Sequence, residues 1–207
     1  MPGTFITFEG IDKSGKSTQA ERLADTLRQQ GLPVVLTLEP GGTELGRAIR
    51  HLVLERQYEA EVAPTAEVLL FAGDRAQHVE EVIRPAIQEG KVVISDRFVD
   101  STLAYQGYGR GLDMDRLAAI MRVATGGLVP DITMLVDVDL ETARARGWGT
   151  DPDRIERGSE SYFERVRNGF LALSRAEPGR IRVFDGRQDM DALAGTICAT
   201  LPDDLIT

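Results

Sequence analysis

One loop near the N-terminus combines glycines, a lysine and a serine at the spacing of a phosphate-binding P-loop. Gly10, Gly15, Lys16 and Ser17 complete the pattern GxxxxGK[ST], between a strand-like run and a helical pattern. The backbone N–H groups of such a loop cradle an anion, and the helix that follows directs its positive end at it. Lys16 would reach the β- and γ-phosphates, and Ser17 would ligate Mg²⁺. The predicted ATP-binding residues of this region are Gly10, Ile11, Asp12, Lys13, Ser14, Gly15, Lys16, Ser17 and Thr18.

A P-loop by itself does not separate kinases from GTPases, ATPases or nucleotide-gated switches. A GTPase should carry a guanine-reading Asn-Lys-x-Asp or Thr-Lys-x-Asp motif. Lys91 is the only lysine after the P-loop and it follows Gly90, so the sequence lacks that motif. The sequence therefore argues against a GTPase.

Strand-like apolar runs alternate with helical patterns along the chain. After the P-loop, Ala20, Leu23, Ala24 and Leu27 follow at helical spacing, and Gly31 suits the end of that helix. Residues 65 to about 89 predict a long helix that a proline should kink or split, and residues 113–125 predict another, capped by its first aspartate. The predicted strands are residues 4–8, 33–38, 92–95, 132–136 and 181–184.

Strands separated by helices predict a parallel sheet that helices cover on both faces. We therefore expect an α/β protein with the P-loop NTPase fold, a five-stranded parallel sheet and a short lid segment, in a single domain over residues 1–207. Ligands of such sheets bind beyond the carboxyl ends of the strands. The loops after residues 8, 38, 94, 136 and 184 should accordingly surround one crevice.

Composition excludes several classes of function. The chain has 207 residues and a net charge of −9, which argues against a general affinity for nucleic acids or acidic membranes. Its single cysteine, Cys198, excludes an intrachain disulfide and a cysteine zinc site. No run of about 20 apolar residues and no signal peptide is evident, so the expected location is the cytoplasm.

Six further segments carry a family resemblance. They read FEGID at residues 8–12, EPGGT at 39–43, LFAGDR at 70–75, DRF at 96–98, AYQG at 104–107 and DRIE at 153–156. In this order and approximate spacing they resemble bacterial thymidylate kinases, P-loop nucleoside monophosphate kinases, over about residues 4 to 185. The resemblance implies transfer of the γ-phosphate of ATP to dTMP with Mg²⁺, giving dTDP and ADP, by a homodimer.

The resemblance also assigns residues around the transferring phosphate. Asp96, at the end of a strand, would organise Mg²⁺ together with Ser17. Arg97 would hold the phosphate of the acceptor. Asp12 is interpreted as placing the substrate and not as a general base, because a phosphate-monoester acceptor is already ionised at neutral pH.

A second set of residues is assigned to the acceptor's base and sugar. Phe71 and Arg75 lie four residues apart on the predicted helix and share a face. In the resembling enzymes the aromatic ring stacks on thymine and the arginine bonds a ring carbonyl. Thr102 and Gln106 form another such pair, expected to hydrogen-bond the base. Tyr105 resembles the residue that crowds the 2′ position and favours deoxyribose.

Residues around the second predicted strand complete the acceptor site. The bond between Glu39 and Pro40 is a candidate cis peptide at a strand end. Arg50 resembles an arginine that faces the acceptor phosphate. Many relatives have an arginine where this chain has Leu38.

Arginines surround the segment that resembles the lid of nucleotide kinases, about residues 144–157. Arg144, Arg146, Arg154 and Arg157 bracket residues 147–152. Closure of such a lid would exclude water and add positive charge at the transferring phosphoryl group. Arg144 is assigned to ATP. The catalytic charge is expected from Arg154 and from Lys13 in the P-loop, in addition to Lys16.

Two alternatives to a dTMP kinase remain open from the sequence. One is a kinase for another nucleoside monophosphate or for a deoxynucleoside, since only the resemblance defines the base pocket. The other is a P-loop regulatory ATPase that transfers no phosphate to a small molecule.

Overall fold

The computed structural model describes residues 3–150, 154–155 and 159–202. Over these ranges the chain forms five strands, and each agrees with its predicted bounds to within one residue. They are β1 (Phe5–Glu9), β2 (Val34–Leu38), β3 (Val92–Asp96), β4 (Ile132–Asp137) and β5 (Ile181–Asp185). All pairings are parallel, in the spatial order β2–β3–β1–β4–β5. The predicted five-stranded parallel sheet is confirmed.

Helices connect the strands and cover both faces of the sheet. Three of them, α2, α3 and α5, continue into π-helical segments at His51–Glu55, Val79–Ile83 and Leu103–Gly109. No helix of the described ranges is both long enough and apolar enough to span a bilayer. The helices are α1 (Lys16–Gln29), α2 (Glu44–Arg50), α3 (Pro64–His78), α4 (Arg84–Gln88), α5 (Val99–Thr102), α6 (Met114–Thr125), α7 (Leu140–Ala145), α8 (Glu160–Ala176) and α9 (Met190–Cys198).

The long helix predicted for residues 65–89 changes its winding ahead of Pro85. It runs as α3, passes through the π-helical turn Val79–Ile83 and continues as α4. Proline has no N–H for the carbonyl one turn earlier, and its ring crowds that carbonyl. A π-helical turn is a common way to absorb such a disruption. The predicted kink or split takes this form.

The first helix and the cap of α6 follow the sequence pattern. The four apolar residues predicted to line α1, from Ala20 to Leu27, are buried against Phe8 and Ile94 of the sheet. Asp113 caps α6 by accepting a hydrogen bond from the backbone N–H of Arg116 at 2.8 Å. Local side-chain spacing was sufficient for both predictions.

The strand order places the site. β1 lies in the middle of the sheet with β3 and β4 on either side. Because the strands are parallel, the P-loop after β1 and the loop after β3 leave the same edge of the sheet. Clusters of buried apolar residues lie beneath this edge: α1 and α9 cover one face, and α8 with the π-helical turn Val79–Ile83 covers the other. The loops are therefore held on a rigid base.

Candidate active site

The P-loop forms an open cradle at the end of β1. Gly10 has a φ of 140°, and a Cβ there would lie 2.4 Å from the carbonyl oxygen of Val136. Lys16 is only 5% exposed, and its Nζ lies 3.7 Å from Oδ1 of Asp12. The hydroxyl of Ser14 is buried without a hydrogen-bond partner among the described residues. A buried hydroxyl without a hydrogen-bond partner is costly, so its presence in the P-loop points to a functional role.

The wall opposite the P-loop comes from residues that follow α7 and β5. Arg146, Gly186, Gln188, Met190 and Leu193 line it. The predicted ATP-binding residues Asp12 to Thr18 line the cradle itself, whereas Gly10 and Ile11 lie beneath it, Ile11 in the core. The loop after residue 184 was expected at this crevice, but none of its residues was predicted individually. Their location just beyond the carboxyl end of a strand was the available signal.

The side-chain oxygens of Ser17 and Asp96 lie together where the cradle meets the end of β3. The hydroxyl of Ser17 donates a hydrogen bond of 2.5 Å to Oδ2 of Asp96. Oδ1 of Asp96 is buried without a partner among the described residues. A hydroxyl and a carboxylate suit Mg²⁺, which typically takes one or two protein oxygens and completes its shell with water and phosphate. The described residues contain no group of three or more His, Cys, Asp or Glu that could hold a metal. The chemistry of Ser17 and Asp96 therefore fits Mg²⁺ bound jointly with a nucleotide.

A second cleft adjoins the cradle, and Asp12 lines both. All nine residues that the sequence assigned to the acceptor line this cleft, with Asp12, Leu54, Ser101 and Ile155. The nine are Glu39, Pro40, Arg50, Phe71, Arg75, Arg97, Thr102, Tyr105 and Gln106.

Asp12 and Arg97 form a charged pair where the cleft meets the cradle. Nη2 of Arg97 donates to Oδ1 of Asp12 at 2.5 Å, and the Tyr105 hydroxyl donates to Oδ2 at 2.9 Å. Burial alone would raise the pKa of Asp12, but the charges of Arg97 and Lys16 outweigh it and hold the pKa well below its usual range. Asp12 is therefore ionised at neutral pH, which suits a positioning group and not a proton acceptor.

Glu9 supports the loop that carries Arg97, a role that the sequence analysis missed. Glu9 is fully buried and accepts hydrogen bonds from the backbone N–H groups of Phe98 and Ser101 and from the Ser101 hydroxyl. Burial, with the nearby Asp100, raises the pKa of Glu9 to about 8. Arg97 itself has a φ of 74°, a strained conformation for a residue with a side chain. The hydrogen bonds to Glu9 thus fix the loop that carries Arg97.

The guanidinium group of Arg75 is fixed in the wall of the cleft. Its Nε donates to Glu39 at 2.8 Å, Nη1 to the Thr102 hydroxyl at 3.0 Å and Nη2 to the carbonyl of Phe98 at 2.8 Å. The same Glu39 contacts the buried His78 through its other oxygen, at 2.9 Å. The predicted bond from Arg75 to thymine would have to be made alongside these contacts, and it stays a prediction.

The turn after β2 forms the rim of the cleft. The bond between Glu39 and Pro40 is cis, as the sequence suggested. Nη1 of Arg50 donates to the carbonyl of Pro40 at 3.0 Å. Leu38, where the family resemblance would lead one to expect an arginine, is 42% exposed. The hydrogen bond to this turn thus holds Arg50 at the rim of the cleft.

The predicted base-binding residues differ in how firmly they are held. Phe71 is half-buried, so that part of its ring remains open. Gln106 is buried and donates a hydrogen bond from Nε2 to Glu67 at 2.9 Å. Thr102 is likewise buried. Their assignment to the base stays a prediction, but their location at one cleft agrees with it.

Three arginines of the predicted lid lie in three different places, and the assignment of Arg144 to ATP stays a prediction. Arg144 pairs at the surface with Glu160, at 2.9 Å, and is not among the residues that line the cradle. Arg146 lines the cradle and donates to the carbonyls of Ser14 at 3.0 Å and Gly186 at 2.7 Å. Arg154 contacts Glu67 and the carbonyl of Val53 beside the second cleft, which we call the acceptor cleft, and not at the P-loop. Arg157 and residues 151–153 lie outside the described residues.

Replacing Arg146 with alanine is expected to raise the KM for ATP by about tenfold or more. The change removes hydrogen bonds from a charged donor that join the P-loop to the loop after β5, and such bonds are each worth roughly 1.5–3 kcal/mol. Steady-state kinetics with varied ATP measure it.

The matched control is Arg144→Ala. It removes an exposed ion pair, which contributes little, so the KM for ATP should stay near that of the unchanged protein. An equal or larger effect of Arg144→Ala would instead support the predicted contact of Arg144 with ATP.

Comparisons with known proteins agree with this geometry. The family model described as thymidylate kinase matches residues 8–197. A thymidylate kinase of Pelotomaculum thermopropionicum is 51% identical over 187 residues, which cover 89% of this chain and 86% of that protein. One of Carboxydothermus hydrogenoformans is 50% identical over 190 residues and covers 91% of each chain.

A solved structure extends the agreement to three dimensions. The crystal structure of thymidylate kinase from Ehrlichia chaffeensis superposes with a TM-score of 0.80 at 32% identity, covering 98% of this chain and 100% of that one. Sequence identity over most of the chain and a common fold lead to one conclusion. This chain belongs to the thymidylate kinase family.

Proposed function

We propose that this protein transfers the γ-phosphate of ATP to dTMP, giving dTDP and ADP, a step in dTTP synthesis. One observation carries the proposal: Asp12 lines both the phosphate cradle and the second cleft. A donor in the cradle and an acceptor in the cleft would therefore meet at this residue. Membership of the thymidylate kinase family supplies the acceptor's identity.

Catalysis would consist of positioning and charge neutralisation, as is typical of phosphoryl transfer. Lys16 would bind the oxygens of the β- and γ-phosphates. Arg97 would hold the acceptor phosphate, and Asp12 would orient Arg97 and the Tyr105 hydroxyl. Lys13, exposed at the mouth of the cradle, would add positive charge. Arg154, the other predicted source of charge, contacts the acceptor side, and we propose that it acts there.

Ser17 and Asp96 would hold Mg²⁺. The support is the hydrogen bond between the two side chains and the unsatisfied second oxygen of Asp96. The bound ion would neutralise charge on the phosphates of ATP. Asp96→Asn is expected to raise the Mg²⁺ concentration required for half-maximal activity.

The proposal is tested by measuring ADP release with ATP, Mg²⁺ and each nucleoside monophosphate in turn. Release stimulated chiefly by dTMP is expected. Release stimulated chiefly by another monophosphate or by a deoxynucleoside would mean that this compound, and not dTMP, is the acceptor. Equal release with no acceptor present would instead support a regulatory ATPase.

We further propose that the protein is a homodimer that works in the cytoplasm. Leu45 on α2, Leu69 on α3 and Val123 on α6 are at least half exposed, and α3 packs against both other helices. Apolar side chains on neighbouring helices favour association with a second copy. Sedimentation equilibrium should give twice the mass of 22.7 kDa, and a monomer at micromolar concentration would refute the dimer.

A further inference from the structure

A carboxylate outside the predicted site binds three of the side chains around it. Glu67 lies in the first turn of α3 and is fully buried. Oε1 accepts from Gln106 Nε2 at 2.9 Å and from Arg110 Nε at 3.0 Å. Oε2 accepts from Arg110 Nη2 at 3.0 Å and from Arg154. Burying a carboxylate is costly unless its partners are complete, so this cluster holds a defined geometry.

The contact with Glu67 determines which end of the Gln106 amide is turned away from it. A side-chain amide has a donor end and an acceptor end, and its orientation is set by its partners. A carboxylate accepts hydrogen bonds, and Glu67 accepts them from the guanidinium groups of Arg110 and Arg154. The NH₂ group of Gln106 therefore points to Glu67. The carbonyl oxygen is left as the end of the amide that is available to a ligand in the cleft.

A carbonyl oxygen there discriminates between pyrimidines. Thymine and uracil carry a hydrogen on ring N3 and can donate it, whereas N3 of cytosine only accepts. Cytosine would put two acceptors against each other, and a buried acceptor left unpaired is penalised. A site built to accept a hydrogen bond rejects a base that cannot donate one.

We propose that Glu67 is a positioning residue for base choice: by holding the amide of Gln106, it turns the carbonyl oxygen towards ring N3 of the acceptor. Arg110 and Arg154 neutralise Glu67 and complete its bonding. The inference rests on the proposed function, because it needs a pyrimidine monophosphate in this cleft. Glu67 is not expected to contact the substrate.

The test compares dTMP, dUMP and dCMP as acceptors for the unchanged protein and for Glu67→Gln. A glutamine at this position both donates and accepts, so Gln106 can turn over. The ratio of kcat/KM for dTMP to that for dCMP is expected to fall by about tenfold or more. The ratio of kcat/KM for dTMP to that for dUMP should stay unchanged, because both bases carry the N3 hydrogen. A general loosening of the cleft would not separate the two ratios in this way.

A double-mutant cycle tests whether Glu67 acts through Gln106. In a Gln106→Met background, Glu67→Gln should leave the dTMP/dCMP ratio unchanged. An unchanged ratio for Glu67→Gln in the native background would overturn the proposal. So would an equal loss in both backgrounds, because Glu67 would then act by another route.

A charge-neutral variant guards against misfolding. Removing only one partner of a buried ion pair is strongly destabilising, whereas replacing both is often tolerated. Glu67→Gln combined with Arg110→Met should show the same loss of the dTMP/dCMP ratio. If neither variant folds, a crystal structure with dTMP decides. Gln106 bridging Glu67 and ring N3 supports the proposal, and any other partner at N3 overturns it.

The experiments distinguish an error in the proposed function from an error in this inference. If the unchanged protein does not phosphorylate dTMP, the proposed function itself is wrong. If it does and the ratios behave otherwise than described, only the role of Glu67 is wrong.

Discussion

Replacing Lys16 with alanine should lower kcat by about 10³-fold or more while leaving the fold intact. Lys16 is nearly buried at the base of the phosphate cradle, and its ammonium group would act on negative charge that develops as the phosphoryl group moves. Removing one preorganised charge or donor from such a site typically costs about 10²–10³ in kcat. Because Lys16 would also neutralise ATP before the reaction, we expect a further loss. Single-turnover kinetics measure the transfer step directly.

The protein supplies a matched control in its third lysine. Lys91 precedes β3 and forms an ion pair with Glu89, away from both clefts. Lys91→Ala should therefore keep kcat. Circular dichroism and thermal melting would establish that Lys16→Ala folds. A folded Lys16→Ala protein with nearly unchanged kcat would refute the assignment of the P-loop.

The sheet and the P-loop were predictable because their signals are local. Each strand is a short apolar run bounded by glycine, proline or a charged residue. In a parallel sheet buried on both faces such runs need no alternation. The P-loop lies between a strand and a helix, so its motif and its context agree. The acceptor cleft followed from the rule that parallel strands end at one edge, together with the family resemblance that named its residues.

Arg144 and Arg146 show where local signals end. They lie two residues apart at the end of α7, and Arg146 is the residue at which the helix stops. A side chain at a helix end points in a direction that depends on the last turn, and sequence patterns define helix ends only to a few residues. The sequence therefore did not indicate that Arg146, and not Arg144, lines the cradle.

Glu67 was missed for a different reason. In the sequence it is an acidic residue in the first turn of a helix, where carboxylates are common because they suit the helix dipole. Its burial arises from partners that are 39, 43 and 87 residues away along the chain. Only the tertiary structure brings Gln106, Arg110 and Arg154 to one carboxylate. No local pattern distinguishes such a residue from an exposed one.

Replacing Arg97 with alanine should lower kcat/KM for dTMP by about 10²–10³-fold, with little change in the KM for ATP. Arg97 lines the second cleft and contacts the P-loop: it donates to Asp12, to the carbonyl of Gly10 at 3.2 Å and to the Ser101 hydroxyl at 2.9 Å. Charge-assisted bonds to a phosphate are about twice as strong as neutral ones. Loss of Arg97 would also leave the Asp12 carboxylate facing the acceptor phosphate, so repulsion adds to lost attraction.

Two companion variants separate these contributions. Arg97→Lys keeps the charge but loses the planar fork, so its activity should fall between that of the alanine variant and the unchanged protein. Adding Asp12→Asn to Arg97→Ala removes the exposed negative charge and should recover part of the affinity for dTMP, a non-additive result expected of groups in contact. Arg187→Ala, a change at an exposed pair with Asp185, is the control. A KM for dTMP that Arg97→Ala leaves unchanged would mean that the acceptor phosphate binds at the rim of the cleft, where Arg50 is the available guanidinium group.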